Sequence, residues 1–183
     1  MENKTLLLDA ARFTAFAFLV LIVNININTL NLLPAWLAWG LVLIALNYMK
    51  EHDKHYLRYV AVALGVIEMT AWINDNFTHY AVNQSVFHIV VRILEAYFYY
   101  FFFDMYATIA ADEDETYSKK FKTVGNTALL LAVISIIITP LSLKTTGFQL
   151  AILVFLVAYL IYMIYIVVTL FKYYRLLKNK YLS

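Results

Sequence analysis

Glu68, Arg92 and Glu95 are the residues best placed to do chemistry, because each lies within a long apolar stretch. An ionisable group in such a setting is costly to keep, so it usually pairs, moves a proton or holds a ligand. Arg92 and Glu95 are three positions apart, and His88 precedes Arg92 by four. At about 100° per residue all three fall on one helical face, joined by Tyr99 and Tyr106. Glu68 shares a face with Trp72 and Asp75, and with His79 if that helix continues. Two carboxylates beside one guanidinium leave a surplus negative charge, to be met by a proton, another partner or something positive. That pattern suits a polar pocket for a small solute or ion. It equally suits a structural ion pair, with Arg92 and Glu95 neutralising each other at i,i+3 and Glu68 tying two helices through hydrogen bonds.

Other chemistries have less support. No catalytic residue is expected: there is no G-x-S-x-G, no phosphate-cradling glycine loop and no paired histidines on one helix. With no cysteine, thiolate nucleophiles, disulfides and Cys metal sites are excluded. Asp75, His79 and His88 have ligand atoms suited to a metal, but they straddle a loop and match no metal-binding spacing. No metal or cofactor is therefore expected. His52 and His55 sit in a charged loop and read as solvated. Asp104 falls opposite the His88 face and reads as an interface residue.

The elements that must carry these residues are apolar helices. The chain has 183 residues, 63% hydrophobic and 14% charged, against roughly 25% charged in soluble domains. A bilayer-crossing helix needs about 20 mainly apolar residues. Six stretches are expected to serve, at about 13–33, 35–49, 57–77, 86–110, 124–140 and 148–171, in one all-α transmembrane bundle. The apolar runs are continuous, which excludes the alternation of a transmembrane barrel. Antiparallel neighbours would set Glu68 and Glu95 at one depth, each about 13 Å from the outer end of its helix. Asp75 and His88 would then stand at the mouth. Asn24, Asn28 and Asn31 would add a polar face to the first span if its helix persists to Pro34.

Orientation follows the cations. Of 14 Lys and Arg residues, all but Arg92 and Lys144 fall at the termini or in the loops near residues 50–58 and 119–122. Both termini are therefore expected on the cytoplasmic side of a plasma membrane, with no cleaved signal peptide. The three tryptophans near the other boundary, and Tyr173 with Tyr174, form the usual aromatic belts. The net charge of +2 gives no reason to expect a nucleic-acid partner. The acidic run Asp112 to Glu115, beside a basic cluster, reads as a solvated loop. Asn76-Phe77-Thr78 and Asn83-Gln84-Ser85 match the glycosylation pattern, but the Ile, Asn, Lys and Tyr richness looks bacterial, so neither is read as modified.

The stretch from Asn24 to Asn28, followed by Leu32-Leu33-Pro34-Ala35-Trp36-Leu37-Ala38-Trp39, resembles uncharacterised small multi-span membrane proteins of Gram-positive bacteria. In those, a similar span end leads to an "ILPDFIGYIL"-like helix; Ala35 and Ala38 replace its acidic residue and glycine. The resemblance covers the first two spans and implies a bacterial multi-span protein without implying an activity. Ala11 and Ala15 also resemble the A-x-x-x-A spacing in substrate-binding subunits of energy-coupling-factor vitamin transporters, six-span proteins of this size. That likeness implies a membrane-protein partner docking on the Ala11 and Ala15 face. The leading expectation is a small-solute or ion binding component with an outward-facing pocket between spans one, three and four. The competing expectation is a non-catalytic scaffold or sensor subunit whose buried ions only hold helices together; a membrane enzyme ranks third.

Overall fold

The computed structural model describes residues 2–23, 26–27, 30–31, 34–50, 52, 55–78, 84–142 and 149–182. Among them the chain is all-α, with six helices and one minimal strand pair. The helices are α1 (Glu2–Ile22), α2 (Ala35–Tyr48), α3 (His55–Ile73), α4 (Gln84–Ala111), α5 (Glu115–Ser142) and α6 (Gln149–Leu182). Strands β1 (Asn26–Ile27) and β2 (Leu30–Asn31) lie between α1 and α2 and pair antiparallel, Asn26 opposite Asn31 and Ile27 opposite Leu30.

Among the described residues, four helices are long and apolar enough to cross a membrane: Lys4–Ile22, Tyr56–Phe77, Glu115–Ile138 and Ile152–Leu182. Their outer faces carry side chains such as Val66, Leu130, Ile137, Leu153 and Ile161, each more than half exposed. Contiguous apolar surface on that scale is unfavourable in water and natural against lipid, so this is a helical membrane protein. The remaining two helices depart from the expected spans for different reasons. α2 has 14 residues, or about 21 Å, short of a hydrocarbon core of about 30 Å. α4 has 28 residues, but Arg92, Glu95, Asp104 and its tyrosines lower its hydropathy.

Several boundaries move. α1 begins eleven residues before the expected Phe13 and ends at Ile22 rather than continuing to residue 33. Beyond it the alternation of Asn and Ile has a period of two, and both residues are weaker helix formers than the Leu and Ala before them. Helix gives way to the β1–β2 pairing, so no helical face joins Asn31 to Asn24 and Asn28, which lie outside the described residues. At the other end of the bilayer-length stretches, α5 and α6 extend well past their apolar runs, to Glu115 and Leu182.

The chain divides into two compact units. The first comprises Met1–Tyr80 with Ile164–Ser183, the second Ala81–Met163. In the first unit α1 packs on α2, and α2 on α3. Phe13 stacks on Tyr48 at 5.7 Å, Trp36 meets Trp72 edge-on at 6.2 Å, and Arg58 donates to the Leu46 carbonyl at 3.1 Å. These contacts make the neighbours antiparallel. Small residues permit the close approach: Ala10, Ala11, Ala15 and Ala17 are fully buried. Phe16 meets Phe171 of α6, and the Lys4 ammonium lies 5.2 Å over the Tyr181 ring, which sets the start of α1 level with the end of α6.

In the second unit α4 and α5 form an antiparallel hairpin. Its turn is set by Asp114, whose carboxylate accepts hydrogen bonds from the Thr116 and Tyr117 backbone N–H groups at 2.7 and 3.4 Å. These are donors of the first helical turn that lack an intrahelical acceptor. Behind the turn, Phe98, Phe102, Phe103, Tyr106 and Phe121 form a buried aromatic cluster, with Phe121 5.3 Å from Tyr106 and 6.2 Å from Phe103. Tyr162 of α6 joins this unit by donating to the Val124 carbonyl at 2.8 Å.

Candidate functional site

Arg92 and Glu95 face inward from α4 toward α5 and α6. The helix supplies the spacing, and its tyrosine-rich flank supplies polar tips on apolar bodies. The Arg92 Nη1 donates to Glu95 Oε2 at 2.7 Å, a charge-assisted bond of the short, strong kind. The Arg92 guanidinium also lies 5.8 Å from the centre of the Tyr159 ring, within cation–π range. Glu95 is the more buried partner, its side chain 13% exposed against 42% for Arg92.

The pair borders a cavity of about 60 Å³. Ala96 and Tyr99 of α4, Ala128, Ala132 and Ser135 of α5, and Phe155, Tyr159 and Tyr162 of α6 complete its wall. Small residues on α5 open the space, and aromatic rings with Leu131 and Leu156 close it. Room of this size takes a few water molecules or a ligand of a few heavy atoms. Glu95 uses one carboxylate oxygen on Arg92, and among the described residues it has no other hydrogen-bond donor. A carboxylate offers about four lone-pair sites and a guanidinium five N–H donors, so the pair retains capacity to bind something more. Mostly apolar walls with a few convergent polar groups are the usual make-up of a small-molecule site.

Glu68 is half-buried on α3, in the first unit, while Arg92 and Glu95 belong to the second. Asp75 is exposed in a π-helical turn, Asn74–Thr78, that continues α3. Asn76 caps that turn by donating to the Trp72 carbonyl at 2.7 Å. His88 lies in the second turn of α4, but its side chain, like His79, Asn24 and Asn28, falls outside the described residues. Tyr159, Tyr162 and Ser135 were not expected at a site. Tyr159 and Tyr162 stand out in sequence only as part of a tyrosine series that reads first as packing. Their i,i+3 spacing, which puts two phenols on one face of α6, was the available signal.

Compared with family models, curated proteins and solved structures, the chain matches none.

Proposed function

We propose that this chain is a small-solute or ion binding component of a bacterial plasma membrane, serving transport, with Arg92 and Glu95 as its ligand-holding pair. The observation that carries this reading is an ion pair left open on one side to a cavity, when full enclosure would have been the simpler structural solution. The ligand is small, because the space is. It carries a polar or charged end for the pair and tolerates apolar contact with Tyr99, Phe155 and Tyr159. Glu68 and Asp75 are proposed on sequence grounds alone to serve the same ligand.

The proposed topology has six crossings with both termini cytoplasmic. The Lys and Arg distribution supports it, as does the Lys4–Tyr181 contact, since an even number of crossings returns the chain to its starting side. α2 counts as a crossing because it packs antiparallel between two helices of spanning length, and α4 because it pairs antiparallel with a third. A membrane-protein partner also belongs to the proposal. Docking on Ala11 and Ala15, however, would require α1 to part from the neighbours that already bury both.

The second reading, a scaffold whose ions are structural, draws on the 2.7 Å Arg92–Glu95 bond itself. Arg92→Met and Glu95→Gln separate the two. We expect cells producing either variant to hold as much folded membrane protein as cells producing the unaltered chain, yet to lose the metabolites that the unaltered chain enriches over an empty vector. Loss of folded protein in both variants, or an unchanged metabolite profile, would favour the scaffold.

A further inference from the structure

The Arg92–Glu95 pair carries no net charge, yet neither partner is used up by the other. Arg92 commits one of a guanidinium's five N–H donors to Glu95 Oε2. The Tyr159 phenol beside it can take another, and donors still remain. Glu95 keeps its second oxygen, with no other donor among the described residues. Surplus donors and a surplus acceptor therefore stand side by side, one turn apart on α4. The other polar groups of the wall, on Tyr99, Ser135 and Tyr162, are all hydroxyls, and that of Tyr162 already donates to the Val124 carbonyl.

Electrostatics then selects the net charge of the ligand. The rest of the cavity is mostly apolar, with Ala128, Ala132 and Phe155 among its walls, and a net charge placed there without a counter-charge is costly. A lone anion or a lone cation would leave the filled site charged. A ligand of zero net charge leaves it neutral. Among such ligands, one with separate full charges gains most, because hydrogen bonds between ionised partners are the stronger kind. The fixed pair also replaces the water that such a ligand gives up. Size narrows the choice further. At about 10 to 15 Å³ for each water-sized group, the 60 Å³ cavity seats roughly four to six heavy atoms.

Resting on the binding function proposed above, we propose that the ligand is a small zwitterionic amino acid, of the size of glycine or alanine. Its carboxylate accepts from the unused Arg92 donors, and its ammonium donates to the second Glu95 oxygen. The Arg92–Glu95 bond persists, because each partner meets the ligand with atoms that the other leaves over. Arg92 is the more exposed of the two, so the carboxylate lies nearer the opening and the ammonium deeper. A methyl side chain packs against Ala128 and Ala132.

The test is equilibrium dialysis of the full chain in nanodiscs against radiolabelled alanine, glycine, propionate or ethylamine; the last two each retain one of alanine's charged groups. The unaltered chain is expected to bind alanine about ten-fold or more tightly than propionate or ethylamine. Glu95→Gln leaves the site positive and should shift the preference to propionate. Arg92→Met leaves it negative and should shift the preference to ethylamine. If either variant folds poorly, as judged by helicity and thermal midpoint, Ala132→Val touches neither charge and should weaken alanine several-fold more than glycine. Propionate or ethylamine bound as tightly as alanine, no binding of any of the four, an alanine preference that survives both charge variants, or equal effects of Ala132→Val on alanine and glycine would each overturn the proposal. A chain that still enriches metabolites in cells would then keep its binding function with a different ligand, whereas loss of that enrichment would remove both.

Discussion

A charged residue in a low-dielectric setting is stable only with its counter-charge close by, and the Arg92–Glu95 pair meets that requirement within one turn of a single helix. This self-sufficiency made the pair legible in the sequence, because i,i+3 geometry needs nothing beyond α4. The partners from other helices were not legible, since the approach of Tyr159 to Arg92 depends on how α6 packs. Asp114 illustrates a charge of the opposite kind, exposed and held by the start of α5. The Thr116 backbone N–H, and less closely that of Tyr117, hold its carboxyl below the usual carboxylate range. A folded pKa depressed in this way contributes stability that is complete above the unfolded value, about 3.9, and is lost as pH falls through the folded value. Thermal midpoints of the unaltered chain should therefore decline more steeply below pH 4 than those of Asp114→Asn, whose amide oxygen still caps but does not titrate. Parallel curves would show that the cap contributes nothing to the pH response.

At the scale of elements, two glycines make opposite predictions. Gly125 faces rigid neighbours, the Tyr100 carbonyl at 3.3 Å and the Phe103 Cβ at 3.4 Å from a built Cβ, whereas nothing lies within 4 Å of Gly40. Gly125→Ala should destabilise, because overpacking costs of about 1 to 3 kcal/mol outweigh the gain of about 1 kcal/mol in helix propensity. Gly40→Ala keeps that gain and should raise the thermal midpoint. Midpoints of both variants in one detergent provide the measurement, and a rise for Gly125→Ala would mean that the hairpin gives way more easily than its packing suggests. The helix ends show what the sequence conceals at this scale. Hydropathy placed α2 and α4 closely, because their ends coincide with the ends of the apolar runs. It missed the first turns of α5 and the last of α6, where polar residues such as Glu115, Lys119, Lys178 and Lys180 continue a helix into water without an apolar signal. For α1, a hydrophobic average hid the switch at Asn24 from helical to alternating pattern.

For the whole molecule, membrane character was readable from composition, since 63% hydrophobic residues exceed what a chain of this length can bury. Topology rests on the cation asymmetry, and the absence of cysteine makes it straightforward to examine. Single replacements Glu113→Cys, Thr145→Cys and Asn179→Cys introduce one thiol each. With a membrane-impermeant maleimide, intact cells should label only Thr145→Cys, and permeabilised cells all three. Labelling of Glu113→Cys in intact cells would invert the proposed orientation. The aromatic cluster behind the Asp114 turn has a bearing on how such a molecule comes apart. Because the exposed positions of α5 from Glu115 to Asn126 are all polar, Phe102, Tyr106 and Phe121 are sheltered from water by each other, while the alanine-lined contacts of α1 and α2 are sheltered by lipid. One chain then has two kinds of interior, and urea, which weakens burial from water, would loosen the tip of the hairpin while leaving the bilayer-embedded helices assembled.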